Sequence, residues 1–513
     1  MSAADAYYVT SPIYYVNDSP HIGHAYTTLA CDALARFQRL DGRRVYFLTG
    51  TDEHGQKVEK AAEAAGVDPQ TFTDQVSGRF RDLAAQLDIS NDDFIRTTEA
   101  RHKRSVSALW ERLVQSGDIY LGKYAGWYSV RDEAFYTETE LVDGKAPTGA
   151  PVEWVEEPSY FFRLSAWQDR LLDWYAAHPE AVQPATRRNE VISFVKGGLQ
   201  DLSVSRTSFK WGIPVPGDPA HVMYVWLDAL TNYISALGYP DTQGDLYRTF
   251  WPAEFHIVGK DILRFHTVYW PAFLMAAGLQ PARRVFAHGW WTVEGQKMSK
   301  SLGNAVAPAD LVARYGLDAT RYFLLREIPF GSDGDFSHAA MVRRMNHDLA
   351  NDYGNLCQRV LSMIAKNCGG AVPAHGPLGP EDLALLDAAE ALLPGLRTAM
   401  DECAIHKALE QIWEVVGQAN RYIDAQAPWT LRKTDPARMA TVLWVLAETI
   451  RHLALLTQPF VPGASARILD QLAVPPGQRG FAAIDADDAV LRAGTPLPAP
   501  SGVFPRFVDP VAA

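Results

Sequence analysis

The sequence predicts an α/β fold: a doubly wound parallel sheet, interrupted by a small β-rich insertion and followed by an α-helical bundle. Three observations carry this. Short β-branched and aromatic runs (Tyr7–Thr10, Val45–Gly50 and Phe94–Thr97) alternate with helical repeats in the opening part of the chain. Between Ile119 and Tyr160 the helical period gives way to aromatic-rich segments broken at Gly122, Gly126, Asp143-Gly144 and Pro147-Thr148-Gly149. From Ser337 onward apolar residues recur almost everywhere at helical spacing.

Taken in order, Tyr7-Tyr8-Val9-Thr10 is a buried strand, with Asn17, Asp18, Ser19 and Pro20 as the turn beyond it. From His24, the residues Ala25, Leu29, Ala33, Phe37 and Leu40 mark a helix that stops at Gly42. Val45–Gly50 is the second strand and runs into Thr51-Asp52-Glu53-His54-Gly55; helices over 56–65 and 70–87 lead to the third strand. Strands separated by helices need crossover connections, so the sheet is parallel, and its ligands gather beyond the carboxyl ends of the strands. His21 and Asp52 both lie there, on separate strand ends, where one crevice would serve both. A helix over 101–116 ends at Gly117, and the insertion occupies roughly 118–207, closing with helical patterns at 165–178 and 189–200.

The sheet is then expected to resume with Tyr224–Asp228, Phe255–Gly259 and Val285–Gly289, with a helix from Lys260-Asp261 through Trp270 to Met275 between the last two. Glu294-Gly295 marks a hairpin turn. Met341, Met345, Leu349, Tyr353, Leu356, Val360 and Ile364 form one helical stripe; after a Pro/Gly-rich linker at 371–380, helices are expected at 381–393, 397–424 and 436–457, with a last short one around Arg467–Leu469. The implied domains are 1–117 and 208–289 for the sheet, 118–207 for the insertion, 290–336 for a connecting region and 337–513 for the bundle.

Composition narrows the function classes. The chain of 513 residues is too long for one core, and 47% hydrophobic with 21% charged residues is the balance of an ordinary globular protein. Its net charge is 48 − 60 = −12, so bulk electrostatics will not hold a nucleic acid; any RNA contact must be local, and no DNA binding is expected. Cys31, Cys357, Cys368 and Cys403 lie apart without a CxxC pair, which suggests neither a disulfide framework nor a structural zinc site. Met1–Asp5 carries no signal-peptide pattern, and the most apolar helix, Val442–Leu456, is interrupted by Glu448, Arg451 and His452. A cytoplasmic protein with no membrane partner is the expectation.

Two short motifs carry chemistry. In His21-Ile22-Gly23-His24, two histidines flank a glycine at a helix N-terminus just past a strand. That position favours anions, because unpaired N–H groups and the positive end of the helix dipole point outward. A turn with two solvated histidines fits the same four residues. Far downstream, Lys297-Met298-Ser299-Lys300-Ser301 follows the hairpin; two lysines on a polar, glycine-ended loop suit a clamp on phosphates, though a solvated basic loop fits them too.

As an ordered pair, each in a strand–loop context and separated by an insertion, these motifs match the HIGH and KMSKS motifs of class I aminoacyl-tRNA synthetases. The remaining motifs resemble the methionyl-tRNA synthetases, and the similarity runs from Tyr7 to about Pro459. That resemblance implies a Rossmann-like catalytic domain, a connective-peptide insertion, a KMSKS loop with a stem-contact region, and an anticodon-binding bundle. It implies ATP with Mg²⁺, L-methionine and tRNA(Met), the initiator included, as reactants and partners. It places His21, Gly23, His24, Lys260, Asp261, Lys297, Ser299 and Lys300 at ATP, with His21, His24, Lys297 and Lys300 as the catalytic groups. It also implies a methionine pocket of Ile13, Tyr15, Asp52, Val225, Trp226, Ala229, Leu230, Tyr233, Phe265 and His266. The chemistry agrees: a thioether is polarisable and suits aromatic rings, Tyr15 and His266 could each touch the sulfur, and Asp52 suits an ammonium. Plain core packing fits Trp226 and Tyr233 equally well.

At the tRNA end, the resemblance implies that Asn355, Arg359, Pro428 and Trp429 contact the anticodon. Asn and Arg can bond base edges and Trp can stack on a base, which answers the acidic net charge. Zinc-binding relatives carry Cys-x-x-Cys and Cys-x-x-His in the insertion; the corresponding places here are Ser129, Asp132, Ala146 and Gly149, so no zinc is expected, with Trp127, Tyr128, Phe135 and Tyr136 supplying core instead. Without the extra C-terminal domain that dimerises some relatives, a monomer is expected. Two rivals are a ligase of the same superfamily that passes an activated amino acid to a small amine, and a non-catalytic tRNA-binding paralogue. The long bundle speaks against the first and two intact motifs against the second.

Overall fold

A computed structural model describes residues 5–16, 19–297 and 306–508. The chain divides into two compact units, one reaching from the N-terminus to Pro20 and from Val45 to His288, the other comprising His21–Arg44 and everything from Gly289.

The first unit is built on a six-stranded sheet. In chain order its strands are β1 (Ala6–Tyr15), β2 (Arg44–Asp52), β3 (Asp93–Arg96), β4 (Val182–Gln183), β5 (Phe255–Gly259) and β6 (Val285–His288), and in space they run β3-β2-β1-β5-β6-β4. The pairings β1–β5, β5–β6, β6–β4 and β2–β3 are all parallel. The strand order reverses between β1 and β5, the kind of switch point beside which open sheets bind ligands. Almost every side chain of β1 is buried on both faces, as a central parallel strand requires. Its buried threonine and serine hydroxyls are satisfied: Thr10 Oγ1 meets His256 Nδ1 at 2.8 Å, and Ser11 donates to Thr49 at 2.7 Å.

The amphipathic helix Ala100–Gln115 buries Val106, Leu109, Trp110 and Leu113 in one cluster with Leu48, Ile95 and Val258. The insertion is a long antiparallel pair, Ile119–Ser129 against Glu153–Phe162, with Ala134–Tyr136 on its edge. Trp127 and Trp154 face each other across it, edge to face at 5.3 Å.

One expected strand is corrected. Tyr224–Asp228 does not join the sheet: Val225–Leu230 is a helix, and the strand is Asp218–Met223, antiparallel in a separate three-stranded sheet. An apolar run without periodicity fits strand or helix, and pairing with Arg206 and Ser205 ends at Met223. A sixth sheet strand, Val182–Gln183, comes from within the insertion.

In the second unit, helix α1 (Ile22–Leu40) packs with the C-terminal bundle, whose main helices are α2 (Leu317–Arg326), α3 (Asn355–Asn367), α4 (Ile405–Gln426), α5 (Pro428–Thr434) and α6 (Pro436–Thr457). Asp32 on α1 and Arg321 on α2 form a fully buried ion pair at 2.6 Å, and the same guanidinium donates to the carbonyls of Pro459 and Phe460. The helix expected over 397–424 is two, Leu392–Asp401 and Ile405–Gln426, because the chain turns through Cys403 at φ +53°. No glycine announces that turn. Helix α6 is long and apolar enough to cross a membrane, with a mean hydropathy of 1.4, but 94% of that window is buried in the bundle. The four cysteines are free thiols.

Candidate active site and anticodon-binding face

The opening motif is not a solvated turn. His21 is the N-cap of α1: its Nδ1 accepts the Gly23 N–H at 3.1 Å, while His24 Nδ1 accepts the His21 N–H at 3.1 Å. The two imidazoles thus form a reciprocal capping box, their ring centres 3.8 Å apart. With both Nδ1 atoms accepting, the proton of each neutral ring sits on Nε2, where it can be donated to an anion. Burial, with the His21 ring beside it, pulls His24 well below the usual histidine range, so it is neutral at pH 7. Gly23 is required sterically, since a Cβ there would stand 2.9 Å from the His21 ring.

The lysine-bearing hairpin belongs to the same unit. Trp291–Val293 pairs with Gln296–Lys297 around Glu294 (φ +49°) and Gly295 (φ +75°), as the sequence predicts. Trp291 packs edge-on against Tyr26 of α1, at 5.3 Å. Lys297 lies at the end of this hairpin, whereas Met298, Ser299, Lys300 and Ser301 lie outside the described residues. On their far side, Val306 accepts the backbone N–H of Ile22, in the first turn of α1, at 3.2 Å.

In the first unit the expected methionine residues converge. Trp226 stacks flat on Phe265, centroids 3.7 Å apart and 6° from parallel, and meets Tyr15 and His266 edge-on at 6.2 Å each. Leu230 and Tyr233 belong to the same apolar cluster, with Ile13 packed against it. Val225 is buried beside Gly55, and Ala229 is buried in the Val225–Leu230 helix. The reading of His266 is sharpened: Nδ1–H donates to the Ile262 carbonyl at 2.9 Å, and Nε2 accepts the Tyr233 hydroxyl at 2.6 Å. Both ring nitrogens are engaged, so His266 orients Tyr233. Burial holds it at about 4, hence neutral.

Asp52, at the end of β2, is buried, and its Oδ1 has no hydrogen-bond partner. Burial raises its carboxyl, as do the negative charges of Asp228 and Glu133, while the His54 backbone N–H opposes them. An unpartnered buried carboxylate oxygen is costly unless a cation completes it. The adjoining residues are fixed: Glu53 is held by Arg96 at 2.6 and 2.9 Å, and His54 by Asp228 at 2.6 Å. Lys260 and Asp261 form a short turn directly beyond β5, at the carboxyl end of the sheet.

Nothing in the sequence pointed to Glu133, in the turn before Ala134–Tyr136. Its side chain is buried beside Tyr15, its backbone lies at φ +50°, and burial pushes its carboxyl to about 7 against the pull of Lys57. Of Arg131-Asp132-Glu133 the sequence singles out only Asp132, as one of the four positions that match zinc ligands in relatives. His256, buried between Thr10 and Tyr233, was likewise missed inside an apolar strand.

At the other expected site, Asn355 is exposed at the start of α3 and Arg359 lies one turn later on the same face. The Arg359 guanidinium sits 5.2 Å over the ring of Trp429 and pairs with Asp424 at 2.7 Å. Ala427, at φ +44°, breaks the chain between α4 and α5; Pro428 is buried at the first position of α5, and Trp429 is 42% exposed.

The family model described as tRNA synthetases class I (M) matches residues 7–150 and 139–361, and the model for the anticodon binding domain of methionyl tRNA ligase matches 372–511. Methionine–tRNA ligases of Mesorhizobium japonicum and Rickettsia felis are 59% and 56% identical to this chain, covering 98% of it and 98% and 99% of their own lengths. The Mycobacterium tuberculosis methionyl-tRNA synthetase in complex with methionyl-adenylate superposes with a TM-score of 0.95 at 55% identity, over 98% of this chain and 100% of that one. The apo form of that synthetase gives 0.89 at 51% identity, over 99% of each. With both family models matching in order and full-length relatives above half identity, the chain belongs to the class I methionyl-tRNA synthetases.

Proposed function

We propose that the chain joins L-methionine to ATP, forming methionyl-adenylate and pyrophosphate, and then passes the methionyl group to the terminal ribose of tRNA(Met), the initiator included. The observation that carries this is the histidine capping box of α1, which engages both Nδ1 atoms and so puts both ring protons on Nε2 at a helix N-terminus. In the activation step the methionine carboxylate attacks the α-phosphorus, and charge builds on phosphate oxygens as pyrophosphate leaves. Positioning and preorganised donors supply most of the acceleration in such a transfer. His21 and His24 donate to those oxygens; Gly23 lets them approach; Lys297, Ser299 and Lys300 close over the departing pyrophosphate; Lys260 and Asp261 border the ATP site. Mg²⁺ enters with ATP as part of the substrate.

Asp52 takes the α-ammonium, while Trp226, Phe265, Tyr15 and Tyr233 surround the thioether with Ile13, Val225, Ala229, Leu230 and His266. Because burial and two neighbouring carboxylates raise the Asp52 pKa, the pH dependence has a definite sign. Methionine needs the ionised form, so KM for methionine is low above that raised pKa and climbs as pH falls through it, where binding must expel a proton. Asp52→Asn raises KM for methionine about 10–100-fold, the worth of one charge-assisted bond, and loses this acid limb. An Asn variant with the wild-type pH profile of KM refutes the assignment.

Arg359 and Trp429, with Asn355 and Pro428, offer base-edge donors and a stacking face to a single-stranded anticodon. Trp429→Ala leaves methionine-dependent ATP–pyrophosphate exchange intact and weakens tRNA binding by ~1–3 kcal/mol, the value of one base–aromatic stack. Equal damage to exchange and charging contradicts that division.

The four insertion positions do not suit zinc. Ser129 and Asp132 hydrogen-bond each other at 3.1 Å, and Asp132 also accepts from Tyr136 and Thr148; Ala146 and Gly149 have no ligand atom. That polar network and the Tyr128–Phe135 contact, capped by the Arg206 guanidinium, support a metal-free insertion. A cytoplasmic monomer is the working form we infer, since ATP, methionine and tRNA meet in the cytoplasm.

A further inference from the structure

Three buried ionisable residues have no part in the site so far. Asp228 is 1% exposed and lies in the same helical turn as Trp226 and Ala229. Its Oδ2 accepts His54 Nδ1–H at 2.6 Å, and its Oδ1 accepts His102 Nε2–H at 2.7 Å. His102, on the helix Ala100–Gln115, is fully buried, and its Nδ1 has no hydrogen-bond partner. A proton on that nitrogen would be an unpaired buried donor, so the ring carries its proton on Nε2. The carboxylate is therefore held by two imidazole donors. Burial pushes Asp228 up, but those two rings outweigh it and keep the carboxyl at about 2.

The array reaches Asp52 through one residue. His54 follows Asp52 by two residues and its backbone N–H favours the ionised Asp52 carboxylate, while the His54 ring is clamped by Asp228 and flanked edge-on by Trp211 at 5.4 Å. Gly55 N–H to the Trp211 carbonyl, at 2.9 Å, and Trp211 Nε1–H to the Glu53 carbonyl, at 2.5 Å, hold the same backbone from its other side. A carboxylate in the thioether-binding helix thus fixes the peptide that aims the open oxygen of Asp52.

We propose that Asp228, through His54 and with His102 as its second donor, is a positioning residue for the α-ammonium of methionine. It locks the spacing between ammonium and thioether subsites, and so favours an amino acid over the same side chain on a simple carboxylic acid. This rests on Asp52 as the ammonium ligand.

The test is calorimetric titration of the whole protein with L-methionine and with 4-(methylsulfanyl)butanoate, which is methionine without its amino group. Wild type prefers methionine. Asp52→Asn loses that preference; if it keeps it, the ammonium ligand lies elsewhere, and both the assignment of Asp52 and the role of Asp228 fall. Asp228→Asn lowers the preference about tenfold, the scale of one net hydrogen bond, by weakening methionine while the butanoate binds as before and KM for ATP is unchanged. Equal weakening of both ligands, or of neither, overturns the role of Asp228 and leaves Asp52 standing. Should Asp228→Asn fail to fold, His102→Gln and His102→Leu make the same comparison. Glutamine can still donate to Oδ1 and keeps the preference, leucine cannot and loses it, and equal behaviour of the two refutes the proposal.

Discussion

His21→Ala lowers methionine-dependent ATP–pyrophosphate exchange by about 10²–10³, the cost of one preorganised donor to a developing oxyanion. The alanine variant alone is ambiguous, because His21 also caps α1 through the Gly23 N–H. Loss of a cap costs about 0.5–2 kcal/mol of stability. The ring geometry separates the two roles. An asparagine amide oxygen sits where Nδ1 does and can accept the Gly23 N–H, but it puts no donor at the Nε2 position. His21→Asn therefore keeps wild-type thermal stability and shows the full loss of exchange. His21→Gln does the reverse: its amide N–H reaches the Nε2 position, so exchange is partly restored while the cap is weakened. If the Asn variant retains exchange, His21 is a structural cap and leaves the catalytic list. Lys300→Ala, at the other motif, gives an exchange loss of the same order, about 10²–10³, without a stability change.

Asp32→Leu destabilises the protein by about 3–5 kcal/mol, because the buried Arg321 guanidinium loses the Asp32 carboxylate. Two carbonyls, of Pro459 and Phe460, still accept from that guanidinium but do not neutralise it. Arg36, another partner of Asp32, is partly exposed and turns to water at little cost. The double variant Asp32→Leu/Arg321→Met recovers most of the loss, as replacement of a whole buried pair by apolar groups is often neutral or better. Chemical denaturation of the three proteins measures this. A double variant no more stable than Asp32→Leu would show that the cost lies in packing. The pair joins α1, which carries His21 at its N-terminus, to α2 and the corner before the last helices. Its loss is therefore expected to loosen the histidine cap along with the bundle.

The two motifs, the alternation of strand and helix, and the α6 span of 436–457 were legible because each rests on local pattern: β-branched runs, helical spacing and turn residues. Local pattern also failed in specific places. Tyr224–Asp228 is apolar throughout, so periodicity could not separate helix from strand, and only the antiparallel pairing of Asp218–Met223 settled it. The helix over 397–424 broke at Cys403 because a non-glycine residue adopts positive φ, which composition does not announce.

What the sequence by itself determined is the class of fold and a family whose motifs mark candidate reacting groups. What only the tertiary structure decided is how those groups are held. The histidine pair caps its own helix and so places both protons on Nε2; His266 spends both nitrogens in orienting Tyr233; Glu133 and Asp228 arrive from distant segments beside Tyr15 and His54. The reason is physical. A propensity or a period is a property of neighbours along the chain, whereas a proton's position and a carboxylate's charge are set by whatever the fold packs against them, tens to hundreds of residues away.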